Sequence, residues 1–277
     1  MELVYKHKKW DKQLQIDEKM WKELGGFSSV NNLNGVIKVQ QLKTPVDRNY
    51  QLLYSACSIF YASTAKSYYL RNTEDLQSLY YTYLSSRSAI LERLFASLYI
   101  RKGRKIFDAQ DGIDQFDYHI LQTIAIGQPL PKCIQGIDNI YIQLLNKDVQ
   151  NVEKYLKSRE DKAGSENIFG NKLSEIECKD IQMILQGDKV SLRNRLIQRI
   201  KEYRKEPIDY FEIIDIYATA MLKLARKYGM DIDIDVIEIP KLFFDKERCK
   251  INQAEIEVPF FEDALEVLKE NGISWDE

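Results

Sequence analysis

Histidine, the side chain that most often acts as a general acid or base in enzymes, is scarce in this sequence. There are only two histidines, His7 and His119, and any Ser-His-Asp or Cys-His catalytic unit would have to use one of them. His7 lies near the start of the chain, where segments are often poorly ordered, and His119 lies in a predicted helix, where a half-buried structural role is expected. We therefore predict that the protein is not an enzyme and has no catalytic residues.

The cysteines are too far apart in sequence to predict a metal site or a disulfide framework. A zinc site needs four Cys or His ligands at close spacing, and no C-x-x-C pair is present. Without an export signal, isolated cysteines are expected to be reduced and buried. The glycine-rich phosphate-binding loops are also missing from the sequence, so we predict no metal and no cofactor. The four cysteines are Cys57, Cys133, Cys178 and Cys249.

The most distinctive charged segment is residues 231–239, DIDIDVIEI, in which acidic and aliphatic residues alternate. Its aspartates resemble the opening of a calcium loop, but such a loop requires glycine at its sixth position and glutamate at its twelfth. Here those positions hold Val236 and Leu242, which argues against a metal site. Period-two alternation predicts a strand or an extended segment, with the carboxylates on one face and the isoleucines turned inward.

Two interpretations of this acidic row stay open. It could be a solvated edge whose charges discourage strand pairing, or an acidic patch that binds a basic protein. The second interpretation makes four residues candidates for partner binding: Asp231, Asp233, Asp235 and Glu238.

Charge and hydropathy exclude several other classes of protein. With 40 basic and 42 acidic side chains the formal net charge is −2, so the basic surplus typical of a DNA-binding protein is missing. No run of 18 apolar residues predicts a membrane span, and the basic residues near the start are not followed by the apolar core of a signal peptide. We expect a cytoplasmic protein that binds neither nucleic acid nor membrane.

Tyrosine is the compositional anomaly, with 17 residues. Tyr54, Tyr61 and Tyr68 recur every seven residues and predict one stripe along a helix. They could form the seam of a helical hairpin, or they could be exposed anchors of a protein interface, where tyrosine is favoured.

Sparse glycine (12) and proline (6) predict long helices with few interruptions. We predict a single all-α domain over 1–277 made of stacked antiparallel helical hairpins, with a minor extended segment near 231–239. Residues 1–49 are expected to be irregular, and the polar loop 159–171 is a possible sub-domain boundary. Helices are predicted near 50–70, from the cap Asn72 or Thr73 to Gly103, and at 113–126, 131–146, 149–158, 174–185, 189–205 and Pro207–Tyr228.

A weak repeat supports the hairpin architecture. Residues 144–156 and 184–196 share a pattern at an offset of 40: one helix ends, an aspartate caps the next, and an apolar stripe follows. Helix pairs with a period near 40 are typical of helical-repeat solenoids.

The segment 181–243 contains a run that ends one helix at Gly229 and continues to Pro240. The run Leu224-Ala225-Arg226-x-x-Gly229, followed by alternating residues and then proline, resembles the immunity protein 49 family. That resemblance covers about a quarter of the chain well. It implies a helical, non-enzymatic bacterial protein whose partner is a cognate toxin, which it binds and neutralises.

The alternative is a helical-repeat scaffold or regulatory adaptor for a protein or peptide client, and a helical enzyme of unrecognised type comes third. No residue of the family's binding surface can be transferred to this chain, because each matching residue also has a structural explanation.

Overall fold

The computed structural model describes residues 46–101, 116–135, 139–160, 175–204, 214–245 and 258–275. These residues form α-helices and one 3-10 turn, Lys241–Phe244, with no β-strand among them, so the all-α prediction is confirmed. None of these helices is both long and apolar enough to cross a bilayer. In chain order they are α1 (Val46–Arg71), α2 (Leu76–Arg101), α3 (Phe116–Ile126), α4 (Lys132–Gln135), α5 (Ile140–Leu145), α6 (Val149–Glu160), α7 (Glu175–Gln186), α8 (Lys189–Tyr203), α9 (Ile216–Lys227) and α10 (Phe261–Glu270).

Helices α1 and α2 form the predicted antiparallel hairpin. Near the connecting turn the rings of Tyr68 and Tyr81 stack with centroids 5.5 Å apart. At the opposite end Tyr50 stacks on Phe95 at 4.9 Å. From the first pair to the second, the residue number on α1 falls from 68 to 50 while that on α2 rises from 81 to 95. The two helices therefore run in opposite directions.

The second helix of the hairpin is capped two or three residues later than the sequence indicated. Asn72 accepts a bond from the backbone N–H of Glu74 (3.1 Å), which shapes the turn. The helix itself begins after Asp75, whose Oδ1 accepts from the N–H of Gln77 at 2.9 Å. Asp75 is therefore the residue that caps α2, a common role for a short carboxylate side chain.

Helix α2 is the central element of the described structure. Every residue from 81 to 91 is buried, although a surface helix normally buries only one stripe. It packs against α1, α3 and the 3-10 turn. Five of the buried positions are polar, Thr82 and Ser85 to Ser88, so this helix has to satisfy hydroxyl groups inside the core.

The predicted helix 131–146 is wrong as one element, because α4 and α5 are separate. Asn139 lies between them in an extended conformation, and its side chain accepts bonds from the N–H groups of Tyr141 and Ile142. An asparagine used in this way starts a new helix.

Three other predicted boundaries also need correction. Helix α1 begins at Val46, so residues 46–49, which were expected to be irregular, are helical. The helix expected to begin at Pro207 begins at Ile216, after Asp215 accepts a bond from the N–H of Ala218 at 2.9 Å. The loop expected at 159–171 begins later, since α6 continues to Glu160. Several predicted features lie outside the described residues: the rest of that loop, the helix starts Ser174 and Pro207, the stop Gly103 and residues 1–45.

The two turns predicted to repeat have the same hydrogen-bond pattern. Asp148 N–H donates to the carbonyl of Gln143, and Asp188 N–H donates to that of Met183, both at 2.9 Å. The preceding residue has positive φ in both turns, +57° at Lys147 and +71° at Gly187. The repeat therefore holds at the level of the turn, and the stacking of hairpins as an array stays a prediction.

Candidate partner-binding surface

The candidate surface begins where α9 ends. The N–H of Gly229 donates to the carbonyl of Arg226, and that of Met230 donates to the carbonyl of Ala225, each at 3.0 Å. Gly229 has φ +84°, the left-handed conformation of a Schellman cap. The prediction that Gly229 stops the helix is confirmed, and the chain leaves it as an extended segment.

Along this segment the burial alternates as the sequence predicted. Asp231, Asp233 and Asp235 are exposed, whereas the intervening side chains of Ile232, Ile234 and Val236 are at most 5% exposed. Among the described residues the segment has no strand partner, so it is extended rather than part of a sheet. Its aliphatic side chains anchor it in the core and turn the three carboxylates to solvent.

Basic groups lie beside this acidic row. Arg226 pairs with the carboxylate of Asp231 at 3.1 Å, and Lys241 pairs with that of Asp235 at 3.0 Å. The carbonyl of Asp233 accepts a bond from Arg193 Nε at 3.2 Å. The row is therefore part of a mixed-charge surface and not an isolated negative patch.

The prediction that Glu238 belongs to this surface is wrong. Glu238 is 0% exposed, and its carboxylate binds the Arg204 guanidinium through two hydrogen bonds, one of them 2.8 Å from Nη2. These bonds raise the pKa of Arg204. The carbonyl of Glu238 also accepts from the N–H of Asp215 at 2.8 Å. Glu238 therefore holds the segment to α8 and α9.

A signal for the burial of Glu238 is present in the sequence. Counting by two from Asp231 places the exposed residues at odd numbers, and position 238 has the parity of Ile232 and Ile234. Its charge favoured the exposed face, but its parity favoured the buried one. The presence of Arg204, a partner 34 positions away, decides between them.

Sequence reasoning also missed a row of arginines on and just after α8. Arg195 binds Asp180, which is 1% exposed and also accepts from the Tyr217 hydroxyl at 3.0 Å. Arg199 binds the helix cap Asp215 at 3.0 Å and lies over the Tyr217 ring. With Arg204, these side chains fix α7, α9 and the extended segment to one helix.

Burial holds His119, Cys57 and Cys133 in their neutral forms. Burial, together with the nearby charge of Arg93, lowers the pKa of His119 to about 3. Burial raises the pKa of the Cys57 thiol to about 12 and that of Cys133 to about 11. Near neutral pH, then, His119 is uncharged and these two cysteines are thiols rather than reactive thiolates. His7 and Cys249 lie outside the described residues, which contain no group of three or more metal-ligating side chains.

The tyrosine stripe lies in the hairpin seam. Tyr54 and Tyr61 are buried, and Tyr68 is half-buried against Tyr81. The hydroxyl of Tyr69, one residue further along α1, donates to the carbonyl of Ile237 at 2.6 Å. These tyrosines hold α1 to its neighbours and are not an exposed recognition surface.

The residues that carry the family resemblance have structural positions. Leu224 and Ala225 are fully buried, Gly229 stops α9, and Pro240 immediately precedes the 3-10 turn. Arg226 and Gly229 are exposed, and the Arg226 guanidinium also lies 4.9 Å from the centre of the Phe244 ring. Comparison with protein-family models, curated proteins and solved structures finds no match to this chain.

Proposed function

We propose that this protein is a non-catalytic immunity protein that captures a cognate bacterial toxin in the cytoplasm and neutralises it by direct binding. The observation that carries the proposal is the row formed by Asp231, Asp233 and Asp235. Alternate aliphatic side chains fix its backbone, so the carboxylates are presented in a set order before a partner arrives. Such preorganisation reduces the entropy lost on binding.

The three carboxylates can accept basic groups of a partner, although cations of the protein lie beside them. The ion pairs of Asp231 with Arg226 and of Asp235 with Lys241 are solvent-exposed, and pairs of this kind contribute little to stability. A lysine or arginine on the toxin can therefore replace the protein's own cation at little cost. Arg226 and Lys241 would in turn be available to an acidic group on the same partner, which adds specificity.

The protonation states also support binding rather than chemistry. A general base works best when its pKa is near the ambient pH, whereas the pKa of His119 is about 3. The Cys57 thiol is fully buried, with a pKa of about 12. Neither group is suited to acid–base or nucleophilic catalysis at neutral pH. The resemblance of residues 181–243 to the immunity protein 49 family points the same way.

The direct test is co-expression with the product of the adjacent toxin gene. We expect cells that produce both proteins to grow and cells that produce the toxin alone to stop growing. The purified proteins should also form a stable complex. Continued growth arrest in the presence of soluble, folded protein would reject the immunity function.

The acidic row has its own test in the kinetics of association. Replacing Asp231, Asp233 and Asp235 with asparagine keeps their shape and leaves the neighbouring cations unbalanced. We expect association with a basic toxin to slow several-fold at low salt. The difference should shrink above about 0.5 M salt, where screening shortens to a few ångströms.

A matched control removes the same charge elsewhere on the surface. Glu153, Glu202 and Glu270 are exposed and far apart in sequence, and their replacement with glutamine changes net charge equally. If both triple variants slow association alike, the effect is one of net charge and the row is not the contact. An unchanged low-salt rate for the asparagine variant, measured by stopped flow, would likewise reject the row as the docking site.

One observation favours a second function, a helical-repeat scaffold or adaptor for a protein client. The turns at 144–149 and 184–189 share their hydrogen bonds and their left-handed residue, as stacked repeats would require. Genomic neighbourhood separates the two functions. A toxin gene immediately upstream favours immunity, and its absence favours the adaptor.

A further inference from the structure

The segment 258–275, which contains α10, is attached to the rest of the protein in an unusual way. We call it the C-terminal strap. Among the described helices α10 has no extended interface with any other. Its first turns expose Glu262, Asp263 and Glu266, while only Ala264 and Leu268 are fully buried on the helix. The strap contributes four side chains to the main hydrophobic core, Val258, Ala264, Leu268 and Trp275, and contacts near its two ends add to that attachment.

The first attachment is the hydroxyl of Tyr54 on α1. It lies 3.1 Å from the carbonyl oxygen of Pro259 and 3.2 Å from that of Phe260, and the Tyr54 side chain is completely buried. Phe260 has φ +56° and ψ +31°, a left-handed conformation that is costly for a residue with a side chain. The bond from Tyr54 holds the strap at the point where its backbone is strained.

The second attachment is Arg87 on α2. Its guanidinium lies 5.1 Å from the centre of the Phe261 ring and 5.4 Å from that of Trp275, so it touches both ends of the strap. The ring of Tyr83 lies 5.0 Å away on the α2 side. The Trp275 carbonyl also accepts a bond from the N–H of Lys132 at 3.4 Å.

Two buried polar atoms beside Arg87 favour separation of the strap. In the part of the chain that the structure describes, neither the Trp275 indole N–H nor the Tyr83 hydroxyl has a hydrogen-bond partner. Both would gain water as partners if the strap moved away, because an unsatisfied buried donor is costly. Hydration of these groups and relief of the Phe260 backbone offset part of the cost of losing the ring contacts and of exposing the apolar side chains that the strap buries.

We propose that the C-terminal strap is a hinged cover, which opens as a unit while the α1–α2 hairpin stays folded. Opening removes Phe261 and Trp275 from Arg87 and exposes that side chain, with Tyr54 and Tyr83, to solvent. The hydrogen bond from the Tyr54 hydroxyl stabilises the closed state. This conformational device is independent of the proposed toxin binding.

Native-state hydrogen exchange tests the proposal on the full-length protein. Amides of residues 264–270 should exchange at least about tenfold faster than those of residues 84–95 in α2, because local opening requires less free energy than global unfolding. Their exchange should also depend less on denaturant, because opening exposes less surface. Equal rates with equal denaturant dependence would overturn the proposal.

Two variants with the same chemical change distinguish a specific effect of the Tyr54 hydroxyl on the strap from a general loss of stability. Tyr54→Phe removes the hydroxyl that holds the strap, and Tyr69→Phe removes one on the same helix that bonds Ile237 instead. We expect Tyr54→Phe to accelerate exchange in α10 several-fold with α2 unchanged, and Tyr69→Phe to leave α10 unchanged. If Tyr54→Phe accelerates amide exchange in α2 in the same proportion, or leaves exchange in α10 unaffected, the proposed role of Tyr54 is overturned.

Discussion

The α1–α3 region and the α7–α9 region bury polar side chains by different means. In α1–α3 hydroxyl groups bond to backbone carbonyls: Thr82 bonds to Ser78 at 2.7 Å and Ser85 bonds to Ser58 at 3.0 Å. In α7–α9 the buried polar groups include carboxylates paired with arginines, such as Asp215 with Arg199 and Glu238 with Arg204.

The difference bears on how each region specifies its arrangement. A hydroxyl that bonds to the preceding turn of its own helix, as Thr82 does, is satisfied wherever that helix lies. The packing of α1 on α2 is therefore selected largely by shape, through stacked rings such as Tyr50 and Phe95, and the Ser85 hydroxyl adds one bond to α1. A buried carboxylate needs one particular cation, so Glu238 and Asp215 select the elements they join. The arrangement of the α1–α3 region is specified mainly by side-chain shape, and that of the α7–α9 region by ion pairs.

The largest expected effect comes from breaking one of these pairs. Arg204→Met leaves the Glu238 carboxylate, which is 1% exposed, without its cation. We expect a loss of about 3–5 kcal/mol in the free energy of unfolding, measured by urea denaturation. Arg226→Met removes the cation of an exposed pair and should change stability by less than about 1 kcal/mol.

A second substitution sharpens that result. Adding Glu238→Leu to Arg204→Met removes the orphaned charge and should recover most of the loss. Similar losses for Arg204→Met and Arg226→Met would show that pairing does not specify the α7–α9 region.

The α1–α3 region should be the more sensitive to a new charge, and His119 provides one as the pH falls. The unfolded chain takes up a proton near pH 6.5, but folded His119 does so only near pH 3. Its contribution to stability is therefore complete above pH 6.5 and is lost as the pH falls toward 3. Between pH 7 and pH 4.5 the loss should be about 2–3 kcal/mol at roughly 1.4 kcal/mol per pH unit.

The variant His119→Gln isolates this effect. It cannot titrate, so its unfolding free energy should fall less than that of the parent by the amount above. The difference between the two proteins should stay constant above pH 7. Parallel curves down to pH 4.5 would mean that His119 is not kept neutral by burial.

The smallest effect compares the two related turns, in which the left-handed residue is Lys147 in one and Gly187 in the other. Lys147→Gly should stabilise the protein by up to about 1 kcal/mol, because glycine adopts positive φ without strain. The Lys147 ammonium also lies 5.7 Å from the centre of the Tyr228 ring. Lys147→Ala is therefore the control, since it loses that contact but keeps the strained Cβ.

Thermal unfolding should rank the glycine variant above the alanine variant at position 147. In the second turn Gly187→Ala should cost about 1 kcal/mol, although a Cβ at this position meets no atom within 4 Å. Gly229 also has positive φ, and valine is branched at Cβ, which makes this conformation harder to adopt than it is for alanine. Gly229→Val should therefore cost more than Gly187→Ala, about 1–3 kcal/mol. Equal stability of the two position-147 variants would show that the left-handed backbone is not strained there.

Features determined by neighbouring residues could be predicted from the sequence. The stop at Gly229, the α1–α2 hairpin and the alternating burial after Asp231 all follow from local spacing. Pro207 was a poor guide to the start of α9 because Asp215, a cap with its own ion pair to Arg199, lay further along. Two local signals competed there, and tertiary contacts decided between them.

Features determined by distant residues could not be predicted in this way. Glu238 is buried because Arg204 reaches it, and Asp180 because Arg195 and Tyr217 do. The strap was not predicted at all, since its attachments are Tyr54 and Arg87 in the first half of the chain. In the candidate surface, three of the four predicted residues are exposed together and the fourth is a structural link.

The Tyr54–Pro259 hydrogen bond has a consequence for synthesis, because its two residues are 205 positions apart. At about 5–20 residues per second, the ribosome makes α1 roughly 10–40 s before the carbonyl that Tyr54 binds exists. Helix–helix contacts form within microseconds to milliseconds, so the α1–α2 hairpin can assemble long before its cover is made. For that interval the nascent chain presents Arg87 and the Tyr83 ring uncovered, at a stage when chaperones act on newly made proteins.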